Sequence, residues 1–141
     1  MRDRGATRKV VDELISAGEL KRALVDDVAY VWIADDSSVS PAPRIVRFLA
    51  PFDPVVWDRQ RFEHLWGWQY RFEAYTPQAK RVRGYYAMPI LWGDSIPGWA
   101  NARVDAGRLN VDVGFIKNRP RGGDFTRELD REIARLESFL N

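Results

Sequence analysis

The order of hydrophobic and polar residues first follows the period of a helix and then that of two short strands. Apolar residues at helical spacing predict a helix over residues 8–17, which Thr7 would cap and Gly18 would end. Residues 19–25 alternate well enough for a strand, and residues 28–34 are rich in β-forming residues. Only two aspartates separate the two runs, so they predict a hairpin with a tight turn. A helix followed by such a hairpin is typical of the second half of a winged helix.

A short polar segment separates this part from the rest of the chain. Residues 37–43, with the sequence SSVSPAP, are small and polar and end in two prolines around an alanine. This composition is typical of linkers. We therefore expect a first domain over residues 1–36, a linker over residues 37–43 and a second domain over residues 44–141.

The second domain alternates between short apolar runs and turn-forming residues. A short helix is expected after Asp58, which would cap it, and before Gly67, which would end it. Residues 124–140 predict an amphipathic helix that covers a sheet. The fold class is therefore expected to be α+β, with a partial winged helix followed by a small antiparallel, barrel-like β domain and a C-terminal helix. After an apolar run at residues 44–50, the strand-like runs are 68–75, 85–92, 96–104 and 109–116.

The amino-acid composition excludes several classes of functional site. The chain contains no cysteine, which excludes disulfides, thiolate metal sites and cysteine nucleophiles. Its single histidine, His64, is expected to be an ordinary helix residue, so that neither a zinc site nor a serine-type triad is predicted. We expect no metal and no cofactor. No apolar run approaches the roughly 20 residues that span a membrane, and a cytoplasmic protein without membrane contact is expected.

The net charge of +2 conceals an uneven distribution along the chain. Residues 1–40 and residues 124–141 each carry a net charge of −2, whereas residues 41–123 carry 13 basic and 7 acidic side chains, a net charge of +6. A basic middle section favours an anionic partner. A solvated, arginine-rich surface explains the same distribution equally well.

Three ordered motifs in the second domain resemble a known family. Residues 52–61 read FDPVVWDRQR, residues 65–75 read LWGWQYRFEAY and residues 80–91 read KRVRGYYAMPIL. They are similar to the FDP…WDRxR, LFGFxYRxExY and KRxxGYYxLPIL stretches of winged-helix DNA glycosylases of the crosslink-repair (AlkZ/YcaQ) type. The motif positions taken from this resemblance are Phe52, Asp53, Pro54, Trp57, Asp58, Gly84, Tyr85, Tyr86 and Pro89.

The resemblance implies tandem winged helices followed by a barrel-like domain, and glycosylase chemistry on alkylated or crosslinked bases in duplex DNA. It also implies a catalytic Gln-x-Gln motif in the N-terminal winged-helix region. The glutamines of this chain, Gln60, Gln69 and Gln78, are nine residues apart, so the motif is absent. We therefore expect a protein that binds double-stranded DNA and has no catalytic residues of its own. A divergent enzyme would need a converging polar pocket, which no constellation in the sequence provides.

The alternative is a protein-interaction subunit, or half of a split glycosylase. In that case the N-terminal helix and hairpin would complete a winged helix with a partner chain, or would pair with a second copy in a homodimer. An exposed apolar face on the first helix would favour this alternative.

One stretch departs from the family pattern. Where the family has a sequence close to GRxDxK, residues 98–103 read GWANAR. Trp99 thus replaces an arginine, Asn101 an aspartate and Arg103 a lysine. Two charges are absent as a result, so a role of this patch in relatives does not transfer directly.

Basic and aromatic side chains supply the candidate DNA contacts. The guanidinium group fits phosphate oxygens in a bidentate manner. Trp68, Tyr85 and Tyr86 could stack on an exposed base. The alternation of the two tyrosines on a predicted strand instead places at least one of them in the core, and this structural interpretation is favoured. The candidate nucleic-acid-binding residues are Arg59, Arg61, Lys80, Arg81, Arg83, Arg103, Arg8 and Lys9.

Two carboxylates could be interpreted as an acid–base pair. Asp53 and Asp58 are five residues apart, and glycosylases often use a carboxylate to stabilise a cationic transition state. The simpler prediction is favoured: Asp53 bonds the backbone of the Pro-Asp-Pro turn, and Asp58 caps a helix and pairs with Arg61.

Overall fold

The computed structural model describes residues 4–35 and 40–140, and it groups helices and strands into two compact units. The units are Met1–Pro41 and Ala42–Asn141. Residues 36–39 lie outside the described residues, so the predicted linker over 37–43 stays a prediction. No helix in the described part of the chain is long and apolar enough to cross a membrane.

The first unit consists of one helix and one hairpin. Helix α1 covers Arg4–Ser16, strand β1 Leu20–Val25 and strand β2 Val28–Ile33. The helix begins earlier than predicted, so Thr7 lies inside it and is not its N-cap. A hydroxyl residue is a capping signal only where the helix actually begins. Because Ala6 and Arg8 are good helix formers, the turn continues through Thr7.

The two predicted reversals of the chain in this unit are confirmed. Gly18 adopts a left-handed φ of 77°, and the amides of Gly18 and Glu19 donate to the carbonyls of Ile15 and Leu14, each at 3.0 Å. This bonding pattern is a Schellman motif, which satisfies the last carbonyls of the helix. Between the strands, Asp26 and Asp27 have φ values of 45° and 64°, as a two-residue type I′ hairpin turn requires.

The second unit is built on one antiparallel sheet, curled like half of a barrel, whose strands lie in chain order β3-β4-β5-β6. The predicted α+β class is thereby confirmed. Apart from a 3₁₀ turn at Gln78–Lys80, the elements of this unit are β3 (Val46–Phe48), α2 (Pro54–Trp57), α3 (Arg59–Trp66), β4 (Ala87–Trp92), β5 (Ser95–Asp105), β6 (Arg108–Phe115) and α4 (Gly123–Leu140).

Helix α4 covers the sheet, as predicted from its apolar stripe. Phe125 and Leu129 are buried in a cluster with residues of β3, β4 and β5. The buried face of this helix ends earlier than the prediction over residues 124–140 implied, since Leu140 is exposed. A second core cluster joins the α2–α3 region to the sheet, and its buried members are Leu49, Val56, Phe62, Trp68, Tyr70 and Ile96.

A buried glutamate on α4, which the pattern did not predict, fastens the helix to the edge strand. Glu132 is 1% exposed and accepts a hydrogen bond from the Phe48 amide at 3.0 Å. It forms ion pairs with Arg135 at 2.7 Å and Arg47 at 3.3 Å. Burial alone would raise the pKa of Glu132, but the hydrogen bonds from Arg135 and Phe48 hold this pKa below its usual value. The carboxylate is therefore charged and fully paired.

The predicted strand at residues 68–75 is wrong. Residues 69–73 have no regular secondary structure and residues 74–75 form a turn. Burial alternates from Trp68 to Arg71, but the segment forms no ladder with any strand in the described ranges. Side chains hold it to the sheet instead: the Trp68 indole donates to the Ile96 carbonyl at 3.0 Å and the Tyr70 hydroxyl to the Ala87 carbonyl at 2.6 Å. Alternation reports which side chains face the core, and it does not report whether a partner strand is available.

Candidate nucleic-acid interface

The loop that carries the KRxxGYY motif is held by one buried carboxylate. Glu73 is 4% exposed, and its Oε2 atom accepts hydrogen bonds from the amides of Val82 at 3.0 Å, Arg83 at 2.8 Å and Gly84 at 3.1 Å. Burial would raise the pKa of Glu73, but these three amides lower it below its usual value. A charged Glu73 therefore sets the path of residues 82–84. The only signal for this role in the sequence was the glutamate of the YRxExY motif.

Arg83 lies between two indole rings. Its Cζ atom is 5.0 Å from the ring centroid of Trp68 and 5.4 Å from that of Trp99, and its Nε atom is buried without a hydrogen-bond partner. Among the described residues no carboxylate forms an ion pair with it. Cation–π contacts fix a guanidinium without neutralising its charge. Arg83 is therefore a positioned cation that has no ion-pair partner among the described residues.

The residues that depart from the family pattern support this loop from strand β5. Trp99, Asn101 and Arg103 alternate along β5 and so share one face of the sheet. The Trp99 indole donates to the Arg83 carbonyl at 3.2 Å, and the Asn101 amide donates to the same oxygen. Gly84 has a φ of 123°, and a Cβ atom there would lie 2.5 Å from the Asn101 Oδ1 atom. Loop and strand thus fit together only with glycine at position 84.

Both tyrosines of the motif are exposed, contrary to the expectation that at least one lies in the core. Tyr85 is 59% exposed and Tyr86 39% exposed. The physical reason is that β4 begins only at Ala87, so the two tyrosines lie in a turn and do not alternate on a strand. Trp68, the third aromatic candidate, is only 7% exposed, and the Arg83 guanidinium lies over its ring, so it is not available to stack on a base.

The loop and the sheet enclose an open groove of about 530 Å³, here called the tyrosine groove. It brings together two of the predicted basic residues, Arg83 and Arg103, with the two tyrosines. The side chains of Trp99, Asn101 and Asp112 also line the groove.

Arg59 and Arg61 point their donors at the protein. The Arg59 guanidinium donates to the carbonyls of Val56 at 2.7 Å and Pro51 at 2.9 Å and lies 4.5 Å over the Tyr70 ring. Burial lowers the pKa of Arg59, although the neighbouring Tyr70 opposes this shift. Arg61 donates to the Pro54 carbonyl. These contacts brace the turn before α3 and direct part of each guanidinium toward the protein backbone.

The two aspartates of the FDP…WDR motif are helix caps, which confirms the structural interpretation of both. The Asp53 carboxylate accepts from the Val55 amide at 2.8 Å, and the Asp58 carboxylate accepts from the Gln60 and Arg61 amides at 3.1 Å and 3.0 Å. The predicted Asp58–Arg61 ion pair is wrong, because the Arg61 guanidinium reaches the Pro54 carbonyl instead.

The remaining basic candidates differ in how far their charge is neutralised. Lys80 is exposed on the 3₁₀ turn, and Arg81 donates to the Thr76 carbonyl at 2.8 Å while it lies over the Tyr85 ring. Arg103 pairs with Asp105 at 3.1 Å and with Asp112 at 2.8 Å, contacts that raise the pKa of Arg103. In the first unit, exposed Arg8 and Lys9 lie on α1, and Lys9 is 3.9 Å from Glu13.

Further family-motif positions divide into surface and core. Phe52 and Trp57 are exposed and in ring contact, with centroids 6.2 Å apart, and Phe52 also contacts Phe72 at 5.5 Å. Pro54 is the first residue of α2, where its missing amide hydrogen costs nothing. Pro89 is buried within β4.

The arrangement can bind an anion and planar rings, and its carboxylates are already engaged. Asp112 is paired with Arg103, and Glu73 is surrounded by three amides. The described residues hold no group of three or more His, Asp or Glu side chains placed to bind a metal ion.

Comparison with known proteins gives one family. The model of a family described as DNA glycosylase AlkZ-like matches residues 2–139. The match extends over both units and includes all three sequence motifs. No solved structure matches the chain.

Proposed function

The chain belongs to the AlkZ-like DNA glycosylase family, and from this membership we propose that it serves DNA repair by binding double-stranded DNA without itself releasing bases. The observation that carries the proposal is Arg83, a guanidinium fixed between Trp68 and Trp99 with no carboxylate paired to it. A cation whose position is fixed by its neighbours loses little entropy when it binds a phosphate.

The distribution of charge supports the same role. The 13 basic and 7 acidic side chains of residues 41–123 make this section positive, whereas residues 124–141, most of helix α4, carry a net charge of −2. Duplex DNA would therefore approach the loop and groove more readily than the helix.

Two observations support the absence of catalysis in these residues. The glutamines do not form a Gln-x-Gln motif. Asp53 and Asp58, the carboxylates considered as an acid–base pair, accept hydrogen bonds from backbone amides of the helices that they cap. Both carboxylates therefore have a structural role at the start of a helix.

The binding test is fluorescence anisotropy with a labelled duplex of about 25 base pairs over a salt series. We expect affinity to fall steeply with salt. The double variant Lys80→Ala/Arg83→Ala should bind more weakly, and the log–log salt slope should flatten by about 0.9 for each phosphate that the variant no longer neutralises. The control is Arg127→Ala/Arg131→Ala on α4, which removes the same charge and should change binding little. Equal reductions in affinity in the two double variants, or no binding at low salt, would refute the proposed interface.

The absence of catalysis has a separate test. The protein is incubated with a duplex that carries one alkylated purine, and abasic sites are revealed by strand scission in alkali. No scission above background is expected. Scission that depends on the protein would show that these residues act as a glycosylase.

A second candidate function is protein interaction through the first unit, and one observation favours it. None of residues 7–35 is buried, and large apolar side chains such as Leu24, Trp32 and Ile33 are exposed. The concave side between α1 and the hairpin is lined by Val11, Ile15 and other residues. A helix and hairpin of this kind would complete a winged helix with a partner chain or a second copy.

Self-association is the part of this candidate that can be measured directly. Sedimentation velocity over a roughly hundredfold range of concentration would reveal a homodimer, since dimer formation follows mass action. The variant Ile15→Glu should abolish such a dimer, whereas Lys21→Glu on the exposed hairpin should not. A monomer at every concentration would rule out pairing with a second copy.

A further inference from the structure

We propose that the tyrosine groove binds a single nucleobase that is free of its base stack, together with the adjacent phosphate. The inference rests on the proposed DNA-binding function and deepens it, because it assigns a chemical group to each side of the groove. The volume of about 530 Å³ falls in the range of about 300–1,000 Å³ that is typical of small-ligand pockets.

The tyrosines would supply the stacking surface. Tyr85 is 59% exposed and carries the Arg81 guanidinium 5.1 Å from its ring centroid, which leaves its other face to solvent. Tyr86 is fixed edge-on by Phe72, with ring centroids 5.4 Å apart and an interplanar angle of 90°. Exposed aromatic faces held in place by neighbours are what ring stacking on an unpaired base requires.

Arg83 would bind the phosphate. It lies at the same groove as the tyrosines, and of the two arginines there it is the one without an ion pair, since Arg103 is paired with Asp105 and Asp112. A guanidinium whose terminal nitrogens are not engaged by a carboxylate offers two parallel donors to phosphate oxygens.

The edge of the base would meet polar groups of the sheet. The Nδ2 atom of Asn101 donates one hydrogen bond to the Arg83 carbonyl. A side-chain amide has two donor hydrogens and two acceptor lone pairs, so Asn101 can still donate to and accept from a base. Gly84 keeps this region open, because a Cβ atom there would lie 2.5 Å from the Asn101 Oδ1 atom. The neutral amide of Asn101 suits an uncharged base edge.

The test compares probes that differ in one feature. The first pair is a fully paired duplex and the same duplex with one unpaired 2-aminopurine, whose fluorescence falls when it stacks. We expect the duplex with the unpaired base to bind about tenfold more tightly, within the range that stacking of one base supports. The variant Tyr85→Ala/Tyr86→Ala should abolish this preference, so that the two duplexes bind with equal affinity. The control is Tyr75→Ala, an exposed tyrosine outside the groove. Equal affinity for the two duplexes would overturn the inference for DNA.

Free nucleotides separate this inference from the proposed function. Quenching of tryptophan fluorescence by dAMP should be stronger than by deoxyadenosine, and Arg83→Met should remove the difference. Far-ultraviolet circular dichroism checks that each variant is folded. If dAMP binds and neither duplex does, the groove is a nucleotide site. In that case the DNA-binding proposal is refuted and the groove assignment stands. If the paired duplex binds but dAMP and the unpaired base have no effect, the groove assignment fails alone.

Discussion

The indole ring of Trp99 lies directly on Gly114 of the neighbouring strand. The two residues face each other in the register of β5 and β6, and a Cβ atom at position 114 would lie 2.3 Å from the Trp99 Cζ2 atom. No side chain other than hydrogen fits beneath this ring. Since Trp99 also donates to the Arg83 carbonyl, the glycine on β6 helps to position the loop that carries the tyrosines.

The variant Gly114→Ala should therefore displace Trp99 and destabilise the protein. Insertion of one methyl group into a close-packed contact costs about 1–3 kcal/mol. The free energy of unfolding is measured by urea denaturation. Gly123→Ala is the matched control, because nothing lies within 4 Å of a Cβ atom at position 123. A decrease in stability no larger than that of the control would show that Trp99 moves aside without cost.

Replacement of Glu73 by Gln should loosen the loop over residues 82–84. The buried carboxylate accepts from three amides, and glutamine has only one acceptor oxygen and a donor group that faces the amide hydrogens. A decrease of about 1–3 kcal/mol in the free energy of unfolding is expected from this mismatch. Asp130→Asn, on the exposed side of α4, removes the same charge and should be nearly neutral. Hydrogen exchange of the Arg83 and Gly84 amides would show whether the effect is local.

Stability should decrease at acid pH because of two buried glutamates. The pKa values of Glu73 and Glu132 are lowered in the folded protein. A lowered pKa contributes stability that is complete above the unfolded value of about 4.3 and is lost as the pH falls through the folded value. The urea concentration at the midpoint of unfolding should therefore decrease once the pH is lowered below about 4.3. In Glu132→Gln this decrease should be smaller, and an unchanged pH profile would contradict the contribution of Glu132.

Tyr70 should ionise only at strongly alkaline pH. Burial is the main reason that its pKa is raised to about 12, and the nearby Arg59 opposes the shift. Because the raised pKa belongs to the folded state, its contribution to stability is present below the unfolded value of about 10 and is lost as the pH rises toward about 12. An ultraviolet titration of phenolate absorbance, with Tyr70→Phe as the difference sample, measures this directly. The variant should also be less stable by about 1 kcal/mol, since the Ala87 carbonyl loses its donor.

Substitution of glycine for Asp27 should stabilise the hairpin of the first unit. Asp27 has a φ of 64° in the turn between β1 and β2. Glycine adopts this conformation without the steric cost that a side chain brings, and Asp-Gly is a preferred type I′ sequence. Slower hydrogen exchange of the β1 and β2 amides is the expected result. Asp27→Val should accelerate exchange, because a branched side chain disfavours positive φ.

The local elements were predictable where one residue type imposes one backbone geometry. Gly18, the Asp26-Asp27 turn, the Asp58 cap and the end of α3 at Gly67 were placed correctly. Each of these depends on φ preference or on a side chain that bonds its own backbone, so neighbouring residues contain the whole cause.

Two predictions failed because the cause is remote in sequence. Residues 68–75 have the alternation of a strand, yet Trp68 and Tyr70 are held by their side chains to strands that come later in the chain. At least one of Tyr85 and Tyr86 was expected in the core, but both are exposed because the first ladder pair of β4 is formed only at Ala87. The alternation of apolar and polar residues along the chain does not reveal whether a partner strand is available.

By itself, the sequence determined the fold class, the hairpin and cap chemistry, the absence of thiol chemistry and the family, because composition, backbone preference and ordered motifs are local properties. The tertiary structure alone decided which groups each basic side chain contacts. Arg59 is turned toward backbone carbonyls, Arg103 is paired with carboxylates, and Arg83 is held by two indoles. The physical reason is that the effect of a charge depends on the atoms within a few ångströms of it, and folding brings those atoms from distant parts of the chain.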